Sequence, residues 1–239
     1  MNPNPAPVAK QRSPLFYVAM GCGLMVLLMV VVVGVTCGGC LYEANKLGKG
    51  VMDPTQRDEN VRKMLGKAPE GYYPIVTLPM PLVMDLAVLG DAPLIPDAGP
   101  PNFKRLFQYW RIIDNENSRQ MKDYFDGKDV SADVFRRNSV NVEVTDVIGK
   151  GVVKTGDGAK VRYVASRGRM ASDFERGGGA VHFNTLMNIE CPDTSVRVVV
   201  WSEKDPAPDK PAGEVDPKGT VLDESAISAL MVQITPCPK

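Results

Sequence analysis

The chain has 239 residues, 44% of them hydrophobic and 23% charged, and its 28 basic and 28 acidic side chains cancel. A disordered chain would carry fewer apolar residues and a large charge imbalance, and 22 Gly with 20 Pro fall far short of a collagen-like or low-complexity sequence, so both classes are excluded. Nucleic-acid binding is disfavoured as well, because its dominant electrostatic term needs a basic excess.

Residues 1–14 (MNPNPAPVAKQRSP) are Pro-rich and polar and read as a short cytoplasmic tail. From Leu15 to Thr36 run 22 residues without a charge, and the apolar character continues to Leu41 and Tyr42. About 20 such residues suffice for an α-helix to cross the hydrocarbon layer, so 15–42 reads as a transmembrane helix. Lys10 and Arg12 precede it and no acidic residue occurs before Glu43, which puts the N-terminus in the cytoplasm and the rest outside, on the periplasmic side. A cleavable signal peptide is the competing reading, but its apolar region is shorter and ends in an Ala-x-Ala-like site that is absent here. A lipoprotein signal is a closer rival. Gly38-Gly39-Cys40 suits lipidation at Cys40, although Cys37 stands where an aliphatic residue is usual. Cys37 and Cys40 therefore remain open to lipidation or to an interchain bridge, and Gly34 and Gly38 have the small-residue spacing of a homodimer seam.

After a tether at 43–52, residues 53–239 make one domain's worth of chain. Asp53 followed by Pro54 predicts a capped helix start and Gly66 its stop, with Val61, Met64 and Leu65 on one side. A Pro-rich lead-in then reaches a strand with Leu82, Met84, Leu86 and Val88 on its core face, and Phe103–Ile113 forms a second, aromatic strand. Asp114–Gly127 fits a helix. Val140, Val142 and Val144 alternate with polar residues, and Thr155–Gly158 turns the chain into a partner strand through Ala165, which predicts a hairpin. Residues 166–179 read as a long polar loop. Val181–Ile189 alternates again, and Ser195–Trp201 is apolar on both faces in its middle, as a covered central strand would be. Residues 203–219, with four prolines, read as a flexible, exposed excursion. Asp223 is placed to cap a last helix whose Ile227, Leu230, Met231 and Ile234 form one stripe. The expected fold is α+β: an N-terminal transmembrane helix, then a twisted antiparallel sheet with helices packed on it.

The anchor at 15–36, the run Pro69-Glu70-Gly71-Tyr72, and the closing strand and helix around Cys191 and Cys237 resemble a class of bacterial single-pass envelope proteins. No activity is attached to that class, so the likeness implies architecture and no mechanism.

Chemistry is sparse. His182 is the one histidine, on the polar face of its strand, where it reads as an exposed residue without a nucleophile to serve. Cys37-Gly38-Gly39-Cys40 has the spacing of a thiol redox motif, but it closes a helix at the end whose dipole opposes a thiolate. Asp114-x-Glu116-x-Ser118 starts like a calcium loop and lacks both its glycine and its closing glutamate. No phosphate loop or metal-ligand spacing is found, so no cofactor and no metal are expected. Residues 150–176 are the most basic stretch: Lys150, Lys154, Lys160, Arg162, Arg167, Arg169 and Arg176 face only Asp157, Asp173 and Glu175. Read functionally, Arg167, Arg169 and Arg176 contact an acidic envelope partner or anionic lipid head groups; read blandly, the stretch is a solvated hairpin face. Cys191 and Cys237 are the two cysteines of the external domain, and an oxidising compartment predicts that they pair. These features point to a non-catalytic, membrane-anchored binding or assembly module of the envelope. The alternative is a carrier of a small apolar ligand or lipid, which would show an enclosed apolar cavity.

Overall fold

The computed structural model describes residues 53–80, 83–94, 102–138, 140, 142–170 and 180–237. The expected tail, span and tether (1–52, with Gly34, Cys37, Gly38 and Cys40), Leu82 and Arg176 lie outside the described residues. Among the described residues no helix is long and apolar enough to cross a membrane.

Helix α1 (Pro54–Leu65) starts where Asp53 accepts a hydrogen bond from the Thr55 N–H at 2.9 Å, and Pro54 fills a position whose N–H has no intrahelical partner anyway. Gly66 ends it at φ 77°, and a Cβ there would stand 2.0 Å from Thr235 Oγ1. Only glycine meets both demands. The strands are β1 (Tyr73–Met80), β2 (Met84–Gly90), β3 (Arg105–Ile112), β4 (Val142–Lys154), β5 (Lys160–Met170), β6 (Val181–Glu190) and β7 (Val196–Lys204). Two helices, α2 (Glu116–Phe125) and α3 (Asp133–Arg137), lie between β3 and β4, and α4 (Glu224–Met231) closes the fold. Asn115 caps α2 by accepting from the Ser118 N–H while Ser118 Oγ accepts from the Asn115 N–H.

All seven strands join one antiparallel sheet in the order β1-β2-β3-β7-β6-β5-β4. Side chains alternate between its faces, and helices cover both. On one face Val61, Met64 and Leu65 of α1 and Ile227, Leu230 and Met231 of α4 pack on Leu89, Phe107, Met187, Val199 and Trp201. On the other, Met121 and Phe125 of α2 and Val134 and Phe135 of α3 pack on Trp110, Val164, Leu186, Val198 and Val200. The apolar middle of β7 is thereby explained, since this strand lies at the sheet centre with both faces covered.

Several expectations are corrected. Residues 166–170 are not loop but the end of β5, with Ser166 opposite Asn184 and Arg167 opposite Phe183. β2 buries both faces rather than one: Ala87 and Leu89 point to the α1 side while Val88 joins Ile75 and Leu106 on the other. The 203–219 segment is largely exposed but not loosely attached, because Glu203 and Lys204 complete β7 and Asp205 is buried.

Candidate functional site

β6 and β7 are joined by the turn Cys191-Pro192-Asp193-Thr194-Ser195, and the predicted pair closes there: Cys191 and Cys237 form a disulfide with their Cα atoms 5.3 Å apart. The C-terminal segment is tied to the same end by backbone. The Thr235 N–H donates to the Leu65 carbonyl at 2.8 Å, the Gly156 N–H to the Ile234 carbonyl at 2.9 Å, and the Cys237 N–H to Asp157 Oδ2 at 3.2 Å.

Asp193 in the turn receives both terminal nitrogens of Arg197, at 2.5 and 2.7 Å, and the Ser195 hydroxyl at 3.1 Å. The hydrogen bonds from Arg197 hold the Asp193 carboxyl below the usual carboxylate range. Arg197 is 2% exposed although it lies in the central strand, and it stands in register with Arg111 and Asp85 across three strands. Arg111 Nε meets Asp85 Oδ2 at 2.6 Å. Such a row is tolerable inside a sheet only because each guanidinium has a carboxylate. Tyr109 beside it is pushed up to about 12, chiefly by burial.

Two clefts flank this turn, one on each face of the sheet. The larger, of about 580 Å³, opens between the start of α2 and the turn and is lined by Asp114, Arg119, Lys122, Asn188, Glu190 and Asp193 together with the other turn residues. The smaller, about 260 Å³, lies between Lys63 of α1, the Asp85–Arg111–Arg197 row, Tyr109 and Cys237.

The basic stretch is mostly spoken for by its own domain. Arg167 is buried: its Nε lies 2.8 Å from Asp205 Oδ2, its terminal nitrogens donate to the Lys210 and Ala207 carbonyls, and its guanidinium sits 5.8 Å from the Phe183 ring centre. The expected surface contact at Arg167 is therefore corrected to an internal clamp on the 205–210 segment. Arg162 pairs with Asp126 and, at 2.9 Å, with Glu190; Lys160 lies 3.9 Å from Glu190; Lys150 stands 6.0 Å from the Tyr124 ring centre. Arg169 and Lys154 stay exposed, and Arg176 lies outside the described residues. The three arginines are not shown as one surface.

His182 is 4% exposed, not solvent-facing, with Nδ1 3.0 Å from the Ala180 carbonyl. It is on the polar side of its strand's pattern, yet that side is covered. Among the described residues no group of three or more His, Cys, Asp or Glu is placed to hold a metal ion. Sequence reasoning missed Arg197 with Asp193, and Asn188 in the larger cleft. The signal for the first was a lone arginine inside the apolar run SVRVVVW with an aspartate four residues before it. Compared with known protein families, curated proteins and solved structures, the chain matches none.

Proposed function

We propose that the chain is a non-catalytic, membrane-anchored binding or assembly module of the bacterial envelope. Residues 15–42 hold it in the membrane with the N-terminus in the cytoplasm, and the domain from residue 53 is displayed on the periplasmic side. The observation that supports this reading is the pair of charged surface clefts around a turn fixed by the Cys191–Cys237 disulfide, set on a sheet whose helical layers are packed with side chains such as Leu65, Phe107, Met121 and Phe135. A fixed rim carrying paired charges suits recognition of a polar surface, whereas a carrier of apolar ligands needs an enclosed apolar space.

The test is site-specific photocrosslinking in intact cells, with the photoreactive residue placed at Thr194 or Lys122 beside the larger cleft and at Asp209 as a distant control. Discrete adducts from the cleft positions, absent from the control, are expected. Adducts formed equally from all three positions, or phospholipid recovered in stoichiometric amount from the purified chain, would overturn the module reading, the second result in favour of the carrier.

A further inference from the structure

We infer that the cleft between α2 and the β6–β7 turn takes an acidic peptide segment, its backbone amide read by Asn188 and its carboxylate by Lys122. The inference rests on the binding-module reading and names the partner's chemistry.

Asn188 carries the argument. It lies on β6 between Arg162 of β5 and Val198 of β7, and its residue is 2% exposed. Four positions earlier on β6, the Asn184 carboxamide is sealed from solvent with no hydrogen-bond partner among the described residues, while its backbone carbonyl accepts from Ser166 Oγ at 3.2 Å. The Asn188 carboxamide meets no hydrogen-bond partner among the described residues either, but its polar atoms, unlike those of Asn184, are not sealed and line the cleft. Its amide N–H and oxygen are thus open to the cleft, where an occupant that supplies both an acceptor and a donor can bind them. A peptide group presents those two functions side by side in the complementary arrangement.

The rim charges select the rest. Asp114 is held by Arg119 through two contacts of 2.9 Å, Asp193 by Arg197, and Glu190 by Arg162 at 2.9 Å. Each carboxylate of the rim thus has a guanidinium. Lys122, exposed on the cleft side of α2, makes no ion pair among the described residues, although its charge reaches Asp114. The unmatched rim charge is therefore one cation, which attracts a carboxylate. A phosphate dianion would suffer from three nearby carboxylates, whereas a single Asp or Glu side chain needs only Lys122 and the Thr194 and Ser195 hydroxyls to be solvated. At about 580 Å³ the cleft is also of the size that holds small ligands.

The experiment uses the full chain in detergent micelles, labelled with ¹⁵N-asparagine, at low ionic strength. The Asn188 side-chain amide signal is assigned as the one lost in Asn188→Asp. The probes are acetyl-Ala-Glu-Ala-amide, its isostere acetyl-Ala-Gln-Ala-amide, and sodium acetate. The glutamate peptide is expected to shift the Asn188 signal saturably, with binding about tenfold tighter than that of the glutamine peptide and about tenfold weaker in Lys122→Glu, while Lys122→Arg keeps it. Lys122 is exposed, so these variants keep the fold. Equal binding of the two peptides, acetate saturating at the same concentration as the glutamate peptide, or an Asn188 signal that never moves would each overturn the inference. If cleft-specific crosslinks form in cells while the peptides fail, the acidic-peptide assignment falls and the module reading stands; if both fail, both fall.

Discussion

Arg167→Ala removes a side chain that ties β5 to the 205–210 segment. The ion pair it breaks is fully interior, with the Arg167 and Asp205 side chains 7% and 0% exposed and Nε to Oδ2 at 2.8 Å. Truncation also takes donors from the Lys210 and Ala207 carbonyls and uncovers Phe183. What remains is a carboxylate in a dry position. Asp205 Oδ1 still accepts from the Ala207 N–H at 2.8 Å, which is too little to solvate the charge. Breaking a buried pair from one side costs about 3–5 kcal/mol, out of the about 5–15 kcal/mol that holds a domain folded. The double variant Arg167→Met with Asp205→Leu leaves no orphan charge and should recover most of that loss. Urea unfolding of the full chain in micelles reads both, since Trp110 and Trp201 are buried and report on the sheet by fluorescence. Limited proteolysis within 206–219 should accelerate in the single variant. A single variant within about 1 kcal/mol of the parent, or a double variant as unstable as the single, would refute the clamp.

Replacing Cys191 and Cys237 together by Ala opens a loop whose ends are 46 positions apart, which the chain-entropy model converts to about 4 kcal/mol of lost stability as an upper guide. Urea midpoints of the variant should match those of the reduced parent, and a parent unaffected by reduction would contradict the structural role of the bridge. Stability should also fall at high pH. Tyr109 keeps its proton to about 12 in the folded chain against about 10 unfolded, so between those values the unfolded chain has fewer protons and each rise in pH favours it. Tyr109→Phe should flatten this decline over pH 10 to 12, and an unchanged slope would show that the phenol is not desolvated as described.

Much of the architecture was legible because local rules and tertiary packing agree. Asp53, Pro54 and Gly66 bound α1 as their chemistry requires, and the unbroken apolar middle of Val196–Trp201 placed that strand at the sheet centre. The cysteine pair followed from the expectation of an oxidising compartment and from the count of two cysteines after residue 52. Where reading failed, polar residues were taken for solvent-facing ones. Ser166–Met170 looked like loop since Ser166, Arg167 and Arg169 break the apolar alternation, yet Ser166 and Arg167 are buried against partners that arrive from β6 and from the segment after β7. His182 was misjudged for the same reason. α3 has five residues, too few for a periodicity to show. The cleft could not be foreseen, because whether Asn188 has a partner depends on where α2 lies, some 70 positions earlier in the chain.

The strand order also dictates how the sheet can assemble. β1-β2-β3 and β4-β5-β6-β7 are two meanders in which every pairing joins consecutive strands, so each can zip from its own turns. The seam between them is different: Arg105 meets Glu203 across 98 positions, and the whole of β3 must find β7 at that range. Loop-closure entropy makes this contact the late and slow one, with two half-sheets exposing long central edges until it forms. The Cys191–Cys237 crosslink lies entirely within the second half. It steadies the finished domain without shortening the one search on which the joining of the halves depends.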